Sequence, residues 1–204
     1  MLGDRVVLST NDVLELAADA LVIEDSGWLS ASRGMAAAVD ALYPELRAPR
    51  EQVLEQRGSP FALGAAVGFP LTGDAHLVRG VIWAITFGYQ PQPGQPDQRQ
   101  RATPLDVAEA TRNALLRADE LGAAQVVMPA LGTRLGFHML PPTPKKLPRY
   151  VMGAAQLIGI QQALQHTTVV QQITLGLSLR DYAIFHELLG QPLAGPAGDE
   201  EHDD

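Results

Sequence analysis

The 204-residue chain contains no cysteine. That absence removes disulfide stapling, thiolate zinc sites and cysteine nucleophiles together, and it suits a reducing compartment. There is also no run of about 18 apolar residues, the length a membrane-crossing helix needs. The N-terminus has no basic segment followed by an apolar one. Neither membrane insertion nor secretion is therefore expected, and a cytoplasmic location is. Positive charge is in deficit, with 15 Lys and Arg against 23 Asp and Glu and a net charge of -8. A broad nucleic-acid surface needs clustered basic residues, and none is found. A single terminal nucleotide is still compatible with a pocket.

Familiar chemical signatures are missing as well. No Gly-Lys-Ser/Thr loop and no Gly-x-Gly-x-x-Gly turn occurs. No Gly-x-Ser-x-Gly context joins Ser26, Ser30, Ser32 or Ser178 to His76, His138, His166 or His186. The histidines form no close pair and have few acidic neighbours, so no metal site is expected.

What is present is a hydrophobic content of 46%, enough for one sizeable core. One domain over 1–189 is expected, followed by an acidic, disordered tail over 190–204. Short apolar runs at 6–8 and 19–23 read as buried strands. A helix is predicted over 33–42, with Ser32 as its cap and Pro44 beyond its end. Residues 61–69 and 77–87 read as further strands, and the Pro-, Gly- and Gln-rich stretch 90–103 as an exposed loop. Thr103, Pro104 and Asp106 form the start signal of a clear helix. Its apolar face is assigned to Leu105, Ala108, Leu115, Ala118 and Leu121, and Gly122 stops it. A buried strand at 125–129, a long loop from 130 to 148, a helix at 149–165 and a strand at 169–175 follow. Ser178 and Asp181 then cap a last helix over 179–189.

Strand and helix alternate in the second half, which predicts crossover units and a largely parallel sheet covered on both faces. Ligand sites in such sheets lie beyond the carboxyl ends of the strands. Three loops qualify. Pro129 to Phe137 has glycines at 132 and 136, so its backbone N–H groups can approach an anion closely. Thr133 adds a hydroxyl, and a ligand-free tight turn remains the plainer reading. Ser26 to Gly34 ends at a helix N-terminus, which favours negative charge. Trp28 within it is suited equally to ring stacking and to anchoring the loop on the core. Asp12 follows the first strand, where its carboxylate either meets a ligand amino group or caps the 13–18 segment. His138 stands directly after the glycine loop.

These elements together resemble a divergent macro domain, the ADP-ribose-binding module, over most of residues 4–189. Asn11-Asp12-Val13 resembles the Gly-Asp-Ile element of that family. Asp19-Ala20-Leu21-Val22 resembles its Asp-Ala-Ile-Val strand, Leu29 to Val39 its glycine-rich loop and first long helix, and Pro129 to Phe137 its diphosphate loop. The resemblance implies a three-layer α/β/α sandwich with a mixed, largely parallel central sheet. It also implies that Asp12 holds the adenine amino group and that Val13 offers its backbone. Gly132, Thr133, Arg134, Leu135 and Gly136 would hold the phosphates through backbone N–H groups. Phe137 and Ser26 would lie near the distal ribose, Gly34 and Met35 on the opposing wall, and Ser178 and Tyr182 on the adenosine side.

The chain departs from the family at two places. Where Asn-Ala-Ala-Asn is usual it has Ile23-Glu24-Asp25-Ser26, so Ser26 replaces the asparagine that supports hydrolysis in active members. Where three glycines are usual it has Ser32-Arg33-Gly34. The resemblance thus implies binding of ADP-ribose or a related nucleotide-sugar diphosphate, without catalysis and without a required cofactor. The partner is the free nucleotide or an ADP-ribosylated macromolecule. Two alternatives stand beside it. One is an ADP-ribosyl hydrolase or deacetylase with Glu24 or Asp25 as base. The other is an interaction module on a macro-like scaffold with a lost or altered pocket.

Overall fold

The structure, a computed structural model, describes residues 2–30, 34–72, 78–92, 95–133 and 147–190. Among the described residues seven strands form one sheet: β1 (Val6–Ser9), β2 (Ala20–Ser26), β3 (Ala66–Pro70), β4 (Gly80–Gln92), β5 (Gln95–Arg101), β6 (Gln125–Pro129) and β7 (Gln172–Gly176). Five α-helices accompany them: α1 (Gly34–Leu42), α2 (Arg47–Arg57), α3 (Pro104–Glu120), α4 (Leu147–Leu164) and α5 (Leu179–Leu188). The strand order is β1-β7-β6-β2-β4-β3, with β5 paired to β4 off that path. The pairs from β1 through β4 are parallel, whereas β3 and β5 run antiparallel to β4. The sheet is therefore mixed and largely parallel, as the alternation of elements implies.

Side-chain alternation along the central strands splits the core in two. Ala20 and Val22 of β2, Ile82 and Ala84 of β4, and Val126 and Met128 of β6 face one way, into a core shared with α3, α4 and α5. Leu21, Ile23, Val81, Trp83, Ile85 and Val127 face the other way, toward Ala36 and Val39 of α1. Helices cover both faces, which gives the three-layer α/β/α sandwich.

The start of α3 follows the sequence signal closely. Thr103 accepts from the Asp106 N–H, and the Asp106 carboxylate accepts from the Thr103 N–H at 2.7 Å. Glycine at 122 has φ +72, the left-handed conformation that ends helices. One member of the expected apolar face is displaced: Leu105 is 67% exposed, and Val107, Ala110, Thr111 and Ala114 join Ala108, Leu115 and Ala118 inside. The reason is that the α3–α4 contact rotates the buried stripe. Gly159 lets α4 approach so closely that a Cβ there would overlap the Ala108 carbonyl.

Two further corrections concern segments without an apolar pattern. Residues 95–101 form β5, not a loop, pairing with β4 from Gln92↔Gln95 to Phe87↔Arg101. Backbone hydrogen bonding along an extended β4 sustains a strand that its polar side chains do not advertise. The helix α2 carries little apolar signal and is absent from the sequence reading. It docks through Arg50, which is 4% exposed, bonds the Asp40 carboxylate and lies 5.1 Å from the Trp83 ring centroid, and through Val53 and Leu54, which pack against the core. Smaller differences are that β3 starts at Ala66 and β7 at Gln172, three or more residues later than read.

The turn into β7 is held by a carboxylate. Asp119 at the end of α3 accepts the N–H groups of Thr168 (2.9 Å), Val169 (2.6 Å) and Val170 (3.2 Å). Burial alone would raise its pKa, but the backbone donors outweigh burial and hold the group below its ordinary value. Among the described residues no helix is long and apolar enough to cross a membrane.

Candidate functional site

The carboxyl ends of β1, β7, β6, β2 and the parallel part of β4 open on the same edge of the sheet. A cleft of about 460 Å³ lies there, lined by residues 10–14 after β1, by Gly34, Met35 and Ala38 of α1, and by Gly176, Leu177 and Ser178 after β7. Register explains why these segments meet. Ser9 pairs with Gly176, so the chain leaves β1 and β7 side by side, and the Leu177 N–H donates to the Ser9 carbonyl at 2.8 Å.

Asp12 stands exposed at the rim. Its Oδ1 accepts the Leu14 N–H at 3.0 Å, and its carbonyl accepts the Glu15 N–H at 3.0 Å. It therefore caps a turn and not a helix, a local arrangement that Asp forms readily. Val13 is 4% exposed and covers Gly176, where a Cβ would overlap the Val13 side chain. Gly34 opens α1 with φ +61, and a Cβ there would meet no atom within 4 Å. Ser178 caps α5: its Oγ accepts the Asp181 N–H at 3.2 Å and donates to Asp181 Oδ2 at 2.6 Å. Asp181 is 6% exposed and also pairs with Arg149 at 2.6 Å. A basic side chain of α4 is thereby linked to the cleft-lining Ser178 through Asp181.

Five of the sequence-assigned residues, Asp12, Val13, Gly34, Met35 and Ser178, thus line one cleft. Others sit elsewhere. Tyr182 packs against the core, its ring centroid 5.8 Å from that of His186. Ser26 is fully buried, with its hydroxyl 3.3 Å from that of Ser30 and its N–H on Asp25 Oδ1 at 2.7 Å. Trp28 is 44% exposed, so it does not anchor its loop on the core. Arg134, Leu135, Gly136 and Phe137 lie outside the described residues, as do Ser32, Arg33, His76, His138 and the tail beyond 190. Among the described residues no group of three His, Asp or Glu is placed to hold a metal ion.

The loop after β6 begins in a defined way. Gly132 has φ +71, a conformation that favours glycine. Its N–H donates to Glu24 Oε2 at 3.0 Å, and the same oxygen accepts the Thr86 hydroxyl at 3.2 Å. Thr133 is buried and donates its hydroxyl to the Ala130 carbonyl at 3.2 Å. Beneath the loop lies Gln156 of α4, which is fully buried. It accepts the Leu131 N–H at 3.0 Å and donates to the Pro129 carbonyl at 2.9 Å. Neither Glu24 nor Gln156 was assigned a place in this loop from the sequence. Their partners are far away along the chain, and no local pattern records the pairing.

No protein-family model matches the chain. An uncharacterised protein of Pyrobaculum aerophilum is 29% identical over 133 residues, which is 64% of this chain and 65% of that protein. The match thus spans slightly less than two thirds of that relative. Among solved structures, the Oceanobacillus iheyensis macrodomain with ADP superposes with a TM-score of 0.67 at 21% identity, covering 90% of this chain and 88% of the other. A variant of the same macrodomain with ADPR gives 0.65 at 22% identity, covering 91% and 90%. At such identities the likeness is one of fold, and the fold is that of the macrodomains.

Proposed function

From the macrodomain fold as premise, we propose that this protein binds ADP-ribose or a related nucleotide-sugar diphosphate, free or carried on a macromolecule, and does so without catalysis. The observation that carries the reading is the cleft itself. Asp12, Val13, Gly34, Met35 and Ser178 come from three separate segments and line one opening at the carboxyl edge of the parallel strands. This is where open α/β sheets place their ligands. An exposed carboxylate suits an adenine amino group, and a helix that begins at the cleft, as α1 does at Gly34, suits an anion. The O. iheyensis macrodomain structures with ADP and ADPR support the choice of ligand class.

The non-catalytic half of the proposal rests on Ser26 and Glu24. Hydrolysis requires a group that aligns water against the anomeric carbon of the distal ribose. Ser26 is fully buried, and Glu24 is engaged with Gly132 and Thr86. Neither is disposed to hold such a water.

Isothermal titration calorimetry with ADP-ribose, and with AMP for comparison, tests the proposal. Micromolar binding of ADP-ribose that weakens at least about tenfold in Asp12→Ala is expected, as for the loss of a hydrogen bond to a charged group. No heat from folded protein at millimolar ADP-ribose would overturn it and favour the scaffold reading. Release of ADP-ribose from a modified protein, catalysed by the wild type, would overturn the non-catalytic half alone.

A further inference from the structure

We propose that Ser178 is a specificity-determining residue of the cleft, an acceptor-only hydroxyl that reads a ribose hydroxyl of the nucleotide. The inference rests on the nucleotide reading above and deepens it.

Ser178 is exposed and lines the cleft, directly after Gly176 and Leu177. A hydroxyl has one proton to give and two lone pairs with which to accept. The proton is committed, because Oγ lies 2.6 Å from Asp181 Oδ2 and a carboxylate can only accept. One lone pair is committed as well, to the Asp181 N–H at 3.2 Å. The other has no partner among the described residues.

Asp181 is itself held in place. It is 6% exposed, and its other oxygen, Oδ1, accepts from the Arg149 guanidinium at 2.6 Å, a charge-assisted bond. The Ser178 proton therefore stays on the side of α5, and what the residue can offer a ligand is an acceptor. Asp12, on the neighbouring segment, is acceptor-only too, with Oδ1 already on the Leu14 N–H. The parallel pairing of Ser9 with Gly176 brings both residues to the same mouth. A ligand that satisfies both must present two donors. An ionised phosphate presents acceptor oxygens alone. A nucleoside with an amino group on its base and hydroxyls on its sugar presents both donors. With the amino group on Asp12, the donor for Ser178 is a ribose hydroxyl.

Calorimetry with ADP, 2′-deoxy-ADP and 3′-deoxy-ADP tests this on wild type, Ser178→Gly and Ser178→Thr. ADP-ribose is titrated into the wild type alongside, and circular dichroism verifies that each variant is folded. The wild type is expected to bind one of the two deoxy analogues about fivefold more weakly than ADP, the loss of one neutral hydrogen bond. Glycine is well tolerated at a helix N-cap but has no acceptor, so Ser178→Gly should bind that analogue and ADP alike. Threonine keeps both the cap and the hydroxyl, and with them the preference. A merely structural role would weaken all three nucleotides together and leave the preference standing. Equal wild-type affinity for all three, or a preference that survives in folded Ser178→Gly, would overturn the proposal and leave the nucleotide reading intact. Binding of ADP-ribose without binding of ADP would do the same. Folded wild type that binds none of the four would overturn the nucleotide reading, and this inference with it.

Discussion

Val13 covers Gly176 so closely that any side chain at 176 would occupy the space of its Cγ1. The contact joins the loop after β1 to the end of β7 and forms the floor on which the cleft rests. It also pins Asp12, the residue before Val13, at the rim.

Gly176→Ala is therefore expected to act on both stability and binding. Overpacking of this kind costs about 1–3 kcal/mol. Displacement of Val13 would also carry Asp12 out of place. Urea unfolding should show a lowered midpoint, and calorimetry a loss of nucleotide affinity at temperatures where the variant stays folded. Unchanged stability together with unchanged affinity would show that the contact has no such role.

A second prediction concerns the support under the β6 loop. Gln156 is fully buried and satisfies both the Leu131 N–H and the Pro129 carbonyl. Gln156→Leu conserves much of the volume but strands two buried backbone groups, each worth about 1–3 kcal/mol when left unpaired. A loss of about 2–4 kcal/mol in chemical denaturation is expected. A change within about 0.5 kcal/mol, typical of an unconstrained surface site, would contradict it.

The third prediction is a pH dependence. Asp119 has its pKa lowered in the folded protein, burial being outweighed by the N–H groups of Val169, Val170 and Thr168. A group whose folded pKa is depressed binds its proton more readily when unfolded, so stability rises with pH through that range. Its contribution is complete above the unfolded carboxylate value, about pH 4, and is lost as pH falls through the lower folded value. Asp119→Asn should lower stability at neutral pH and flatten the acid limb of a stability-against-pH curve. Parallel acid limbs in the two proteins would count against the assignment.

Much of this fold was legible because local and tertiary demands coincide. The capping box at Thr103 and Asp106, the hydroxyl cap at Ser178 and the apolar runs of β2 and β6 each carry their own signal. The helix α2 carries none: its anchor, Arg50, is recognised by Asp40 and Trp83, residues that its own segment does not contain. The strand β5 is equally silent: its sequence is polar, and the β4 residues it pairs with lie outside its own segment. The site divides in the same way. Asp12, Val13, Gly34, Met35 and Ser178 were assigned by position beyond strand ends and by family resemblance, and they line one cleft. Tyr182 faces the core instead, where it lies beside His186. The bond from Gly132 to Glu24 joins the loop after β6 to β2, and no one-dimensional pattern announces it.

The proposed nucleotide site is the cleft between β1, β7 and α1. Titrating ADP-ribose into isotopically labelled protein and following backbone amide shifts tests it most directly. The account predicts saturable shifts concentrated at Asp12, Val13, Gly34, Met35, Gly176 and Ser178. Saturable shifts confined to another surface, such as the groove between α3 and α4 around Leu105 and Ile158, or none at millimolar ligand, would contradict it.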